Sequence, residues 1–118
     1  MDRETQTRIA LFVVACPKLN RGVKLEKQTW EEHVLPEHPE VENYVKQIKE
    51  IIGNTDAQQD MWRMEADPTR LCIVRRVPYF QPANKYILIA LRIYSDTMAC
   101  VTSVYPVDNL PSEGVKLL

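Results

Sequence analysis

Between Gln59 and Tyr105 the chain presents four segments of strand composition, Gln59 to Glu65, Leu71 to Val77, Tyr86 to Tyr94 and Met98 to Tyr105. Turn residues separate them: Asp67-Pro68, Pro78 with Pro82-Ala83-Asn84, and Ser95-Asp96. Connections this short favour antiparallel neighbours over the long crossovers that parallel strands need, so an antiparallel meander is expected. A sheet of this kind buries one face under an amphipathic helix.

Such a helix stands upstream. Pro39 suits a first helical position, where a missing amide proton costs nothing, and Glu40 and Glu42 suit the positive end of the helix dipole. Val41, Tyr44, Val45, Ile48, Ile51 and Ile52 then recur at helical spacing, and Gly53 is expected to close the element. A shorter helix is expected before it, opened by a capping box from Thr29 to Glu32, carrying Trp30, His33 and Val34, and ended by Pro36. Ile9 to Cys16 reads as a buried strand stopped by Pro17, and Val23 and Leu25, alternating with Lys24 and Glu26, as a second strand after the Asn20-Arg21-Gly22 turn. Val115 to Leu118 adds an edge strand. The expected class is α+β, with N-terminal strands and one or two helices packed on an antiparallel sheet.

With 118 residues, 45% of them apolar, the chain has material for one core, so residues 1–118 are read as a single domain. Net charge is −1, with eight basic against ten acidic residues in 1–56 and seven against six in 57–118, so neither half is a basic tail. Broad electrostatic capture of nucleic acid is therefore not indicated, and a phosphate ligand would need a local cluster of cations. The three cysteines, Cys16, Cys72 and Cys100, lie in apolar runs and form no CxxC pair. Small buried thiols are the expected reading. The charged start and the short apolar run from Ile9 to Cys16 lack the features of a signal peptide or a membrane span, so a reduced, cytoplasmic protein is expected.

Groups that titrate near neutral pH occur in one place, at His33 and His38. Either could move a proton; the alternative for His33 is a helix histidine bonded to a carbonyl or to Glu37, and for His38 a helix cap before Pro39. Their spacing of five sets them about 140° apart around a continuous helix, which disfavours a shared zinc ion. Acidic residues do not cluster as a magnesium site requires, so no metal and no cofactor is expected. Arg75 and Arg76 fall inside an apolar strand, where alternation sends them to opposite faces, and each reads either as an anion-binding group or as a solvated arginine. Leu71, Ile73 and Val77 on one face compete with Cys72 and Val74 on the other, which leaves open which arginine faces a cleft. Arg92 has the same two readings. Ser103 and Tyr105, two apart on the last long strand, share a face and could reach one ligand. There is no GxSxG elbow, phosphate-binding glycine loop or dinucleotide fingerprint, and three glycines leave little room for them.

Taken in order, Trp30-Glu31-Glu32-His33, His38-Pro39-Glu40, the amphipathic helix, Asn54-Thr55-Asp56, Arg75-Arg76, Val101-Thr102-Ser103-Val104-Tyr105-Pro106 and Pro111-Ser112-Glu113-Gly114 form a pattern running from Thr29 to Leu118. It resembles the phage-associated branch of the barnase, EndoU, colicin and RelE superfamily of small metal-independent ribonucleases. That family carries a histidine on its first helix, an aromatic residue before an arginine pair, and a threonine or serine two before a tyrosine. His33, Arg75 or Arg76, Ser103 and Tyr105 fall on those positions, while Ile73 and Val74 stand where the aromatic is expected.

The resemblance implies a helix layer on a curved, RelE-like antiparallel sheet, with 29–118 as the ribonuclease-like core and 1–28 as an N-terminal strand or hairpin extension. It further implies a toxin or phage-derived effector that cleaves RNA and is held in check by a protein inhibitor or antitoxin. His33, Arg76, Ser103 and Tyr105 would be catalytic, with Arg75, His38 and Arg92 contacting substrate. His33 would serve as general base or acid, an arginine would neutralise the phosphorane, and the two hydroxyls would bond phosphate oxygens. The alternative is a non-catalytic module on the same scaffold that binds RNA or protein.

Overall fold

Four strands run antiparallel in chain order, as the short connections require: β3 (Asp60–Arg63), β4 (Arg70–Arg76), β5 (Tyr86–Ile93) and β6 (Met98–Val107). In this computed structural model the described residues are 9–54, 60–64, 66–76, 86–111 and 114–116. The Thr55-Asp56 turn, the Pro78 and Pro82-Ala83-Asn84 connection, Ser112-Glu113, and the expected strand ends at Gln59, Glu65, Val77, Leu117 and Leu118 lie outside them.

The meander is not the whole sheet. An N-terminal hairpin, β1 (Ala10–Cys16) with β2 (Arg21–Glu26), adds to the free edge of β6, and β2 runs parallel to β6 over Gly22 to Lys24. A short strand, β7 (Val115–Lys116), pairs antiparallel with β3. Seven strands result among the described residues, in the order β1-β2-β6-β5-β4-β3-β7, and the sheet is mixed rather than antiparallel throughout. The fold is α+β.

The hairpin turns through Asn20, whose φ of 52° lies in the left-handed region that asparagine tolerates. Gly22 is where β2 meets β6: a Cβ there would stand 2.9 Å from Met98 Sδ. Arg21 reinforces the junction, donating from Nε to the Ser95 carbonyl at 2.9 Å in the β5–β6 turn.

The first helical segment, α1 (residues 27–37), departs from expectation at both ends. It begins at Lys27, so Thr29 is already helical (φ −59°, ψ −45°) and makes no cap hydrogen bond; the capping box does not form. Nor does Pro36 end the segment. A wider π-helical stretch, Trp30–Val34, precedes it, in which the Leu35 N–H bonds to the Trp30 carbonyl five residues back. Pro36 has no N–H, and its ring would crowd the carbonyl four residues back in a regular α-helix; the wider turn relieves that clash. The chain leaves the segment at His38 (φ −135°, ψ 64°), passes through a 3₁₀ stretch, Pro39–Tyr44, and enters α2 (Val45–Gly53). Gly53 is not a left-handed cap, because Asn54 follows at φ −127° and the positive-φ glycine among the described residues is Gly114. Its small size instead lets α2 lie against β1, with a Cβ position only 3.0 Å from Val14 Cγ2.

Trp30, Val34, Val41, Ile48, Ile51 and Ile52 turn from these helical segments onto one sheet face, meeting Val23, Leu25, Ile73, Ile89 and Val104. Each such aliphatic side chain stabilises the fold by about 1.5–3 kcal/mol relative to exposure. A smaller cluster of Trp62, Cys72, Val74 and Leu88, flanked by Tyr86 and Tyr105, occupies the second face.

Candidate functional site

A bulge in β6 directs the side chains of the second face. The register steps from Ala90↔Ser103 to Leu91↔Val101, leaving Thr102 as the extra residue. Val101 and Val104 can then both face the helices while Ser103 and Tyr105 stay together on the second face. Four rungs cross β4, β5 and β6 there: Arg76-Tyr86-Val107, Val74-Leu88-Tyr105, Cys72-Ala90-Ser103 and Arg70-Arg92-Cys100. Of the neighbouring arginines, Arg76 shares this face and is exposed, whereas Arg75 alternates with Leu71 and Ile73 on the helix side and is half-buried.

The two histidines separate. His33 is exposed on the outer side of α1, whose Trp30 and Val34 point inward, and it makes no hydrogen bond among the described residues. The expected bond to Glu37 is absent among them. His38 instead turns to β6, beyond the stretch covered by β2, and its ring stacks on Tyr105 with centroids 5.2 Å apart and planes 26° from parallel. Its backbone is held on both sides: the His38 N–H donates to the Val34 carbonyl at 2.8 Å, and its carbonyl accepts from the Val41 N–H at 3.2 Å. Its side chain makes no cap bond; Nδ1 lies 3.4 Å from Glu40 Oε1. The structure thus brings His38 to Tyr105, with Ser103 and Arg76 on the same sheet face, and leaves His33 and Arg75 directed elsewhere.

Beside Tyr105 opens a cavity of about 530 Å³ between the second face and residues 109–111. Leu88, Ala90 and Cys72 form its floor, Tyr105 and Thr102 one wall, and Asn109 and Pro111 another. Arg70 and Arg92, directly opposed on β4 and β5 and both exposed, line its mouth. Asp67 stands with them. Its Oδ1 accepts from the Thr69 hydroxyl at 2.6 Å and the Thr69 N–H at 3.1 Å, and Oδ2 lies 3.5 Å from Arg70 Nε. These Thr69 bonds, and then the charges of Arg92 and Arg70, hold the Asp67 carboxyl below its ordinary value.

Burial pushes the Cys72 thiol up, so at neutral pH it is a protonated, weakly nucleophilic group. Burial, and then the nearby Cys72, pushes the Tyr105 hydroxyl up as well. Tyr105 therefore works as a neutral hydrogen-bond donor. Cys16 and Cys100, like Cys72, form no disulfide among the described residues.

Sequence reasoning missed Arg70, Asp67 and Thr102. Arg70 carries no local signal, because its meaning comes from lying opposite Arg92 in the pairing of β4 with β5. Among the described residues no helix is long and apolar enough to cross a membrane, and no three or more His, Cys, Asp or Glu side chains gather as a metal site would need. Comparison with models of protein families, with curated proteins and with solved structures finds no match to this chain, so its function has to be argued from its own residues.

Proposed function

We propose that this chain is a small endoribonuclease that cleaves RNA by acid-base chemistry without a metal step, with His38 rather than His33 as its base. The observation that carries the reading is the stack of His38 on Tyr105 with Glu40 at its other side. A carboxylate at Nδ1 favours the tautomer that carries its proton there, leaving the Nε2 lone pair free to accept another. Nε2 takes the proton of a ribose 2′-hydroxyl as that oxygen attacks phosphorus. The bond from phosphorus to the 5′ oxygen breaks, and that oxygen takes a proton from solvent, giving a 2′,3′-cyclic phosphate and a 5′-hydroxyl end. Arg76 offsets charge on the phosphorane, and the Tyr105 and Ser103 hydroxyls donate to its oxygens.

The order of motifs from Thr29 to Leu118 supports a ribonuclease, and with it a RelE-like fold and a cytoplasmic effector restrained by a protein inhibitor, but it puts His33 and not His38 on the position of the catalytic histidine. A non-catalytic RNA-binding module on this scaffold is the second reading. It is favoured by the solvent-facing His33 and by arginines that line the cavity mouth rather than surround a histidine.

The test is cleavage of a mixed RNA pool, with chelator present, by the wild type, His38→Ala and His33→Ala, each shown to be folded. General-base catalysis contributes typically 10² to 10⁴-fold, so His38→Ala is expected to lose about that factor while His33→Ala stays near wild type. Equal activity in wild type and His38→Ala would remove His38 from the chemistry. RNA binding without cleavage by the wild type would establish the binding module instead.

A further inference from the structure

We infer that the cavity beside Tyr105 is a subsite for one nucleotide, its phosphate held between Arg70 and Arg92 and its base lying on the floor made by Leu88 and Ala90. The choice of a nucleobase over another flat apolar group rests on the RNA reading above; the anion site rests on the arginines themselves.

Like charges placed directly opposite each other on antiparallel strands repel, and a chain under no other demand gains nothing from them. Arg70 and Arg92 are such a pair. Among the described residues the carboxylate beside them is that of Asp67, 3.5 Å from Arg70 Nε through Oδ2, and its Oδ1 is already engaged by Thr69. Counted over the described residues, two guanidiniums stand against that carboxylate, an excess of positive charge at the cavity mouth. Arginine forks match the oxygens of a phosphate, and two forks from neighbouring strands can bracket one.

Behind the mouth the chemistry changes. Leu88 and Ala90 offer an apolar floor, while the Thr102 hydroxyl and the Asn109 amide offer polar groups that can meet base edges. The volume of about 530 Å³ falls in the range of pockets that take small molecules, roughly 300–1,000 Å³. Tyr105 joins the two sites, lining the cavity while stacking on His38. A nucleotide seated here would be next to the phosphate that His38 addresses. The bulge at Thr102 has a purpose in this arrangement, since the extra residue brings a hydroxyl to the cavity wall.

The experiment is calorimetric titration of the full chain with adenosine 3′-monophosphate and, separately, inorganic phosphate. Wild type is expected to bind the nucleotide at least about tenfold more tightly than phosphate. A charge-assisted bond lost from the site weakens binding by at least about tenfold, which is the expectation for Arg92→Gln, an exposed position where folding is not at stake. Ala90→Leu, which fills the floor, is expected to abolish the preference for nucleotide over phosphate while leaving phosphate binding intact. No nucleotide binding by the wild type, equal affinity for nucleotide and phosphate, or binding indifferent to Arg92→Gln would each overturn the inference. Nucleotide binding that responds to both substitutions, in a chain that cleaves no RNA, would uphold the subsite and remove the ribonuclease reading.

Discussion

His33 and His38 differ little in local sequence, and their fates are decided by neighbours far along the chain. His33 lies beside Val34 on a segment whose inward positions are filled by Trp30 and Val34, so its ring faces solvent. His38 sits at the break between α1 and the 3₁₀ stretch, where the chain passes the uncovered edge of β6 and meets Tyr105. No pattern around residue 38 announces a residue 67 positions later. The pairing of Ser103 with Tyr105 was legible, because strand alternation is local and both lie beyond the bulge. The same pocket makes a prediction about pH. The folded-state values of Cys72 and Tyr105 lie above their ordinary 9.0 and 10.0, so the native chain keeps protons that the unfolded chain releases. Their contribution to stability is fully present below about pH 9 and is lost as pH rises through the raised values. Tyr105→Phe keeps an aromatic ring for the stack and removes one ionisation. Above pH 10 its urea midpoint is expected to fall less steeply with pH than that of the wild type.

At the level of elements, periodicity located every strand of the meander and the apolar face of α2, because burial imposes periods of two and 3.6 wherever an element packs. What it could not locate were boundaries that tertiary packing sets. The Thr29 capping box is a sound local signal, yet β2 runs straight into α1 at Lys27 and makes a cap at Thr29 redundant. Pro36 reads as a stop until a π-helical turn accommodates it, and a three-residue window contains nothing that foretells such a turn. Gly53 reads as a cap and is a packing glycine. Gly114 is the position where backbone conformation itself demands glycine: φ is +94°, and a Cβ would stand 2.7 Å from the Arg63 carbonyl oxygen. Gly114→Ala is expected to free β7 from Trp62 and Arg63 and to cost about 1–3 kcal/mol. Urea unfolding measures the loss, and amide exchange at Val115 and Lys116 shows whether the pairing has gone.

Across the whole molecule, the two faces of one sheet have different tasks. The helix side holds the larger apolar cluster, and the second side carries the cavity, the stacked rings and three arginines, Arg70, Arg76 and Arg92. A net charge of −1 means that RNA would be drawn by these few groups rather than by the field of the whole protein. For single strands each neutralised phosphate contributes about −0.7 to the slope of log K against log salt, so three contacts predict a slope of about −2. Titrations of a short RNA between low and moderate salt give that slope directly, and a much steeper one would reveal cations elsewhere. The parallel pairing of β2 with β6 also orders events in time. β2 is synthesised well before its sheet partner β6, with Val23 beside Ala99, so the hairpin waits while the 71 residues between Glu26 and Met98 emerge. Long-range pairings of this kind slow folding and prolong exposure of apolar strands. Chains arrested before Met98 are expected to leave the β2 edge unpaired and to need a chaperone to stay in solution, while release of β6 gives that edge its partner.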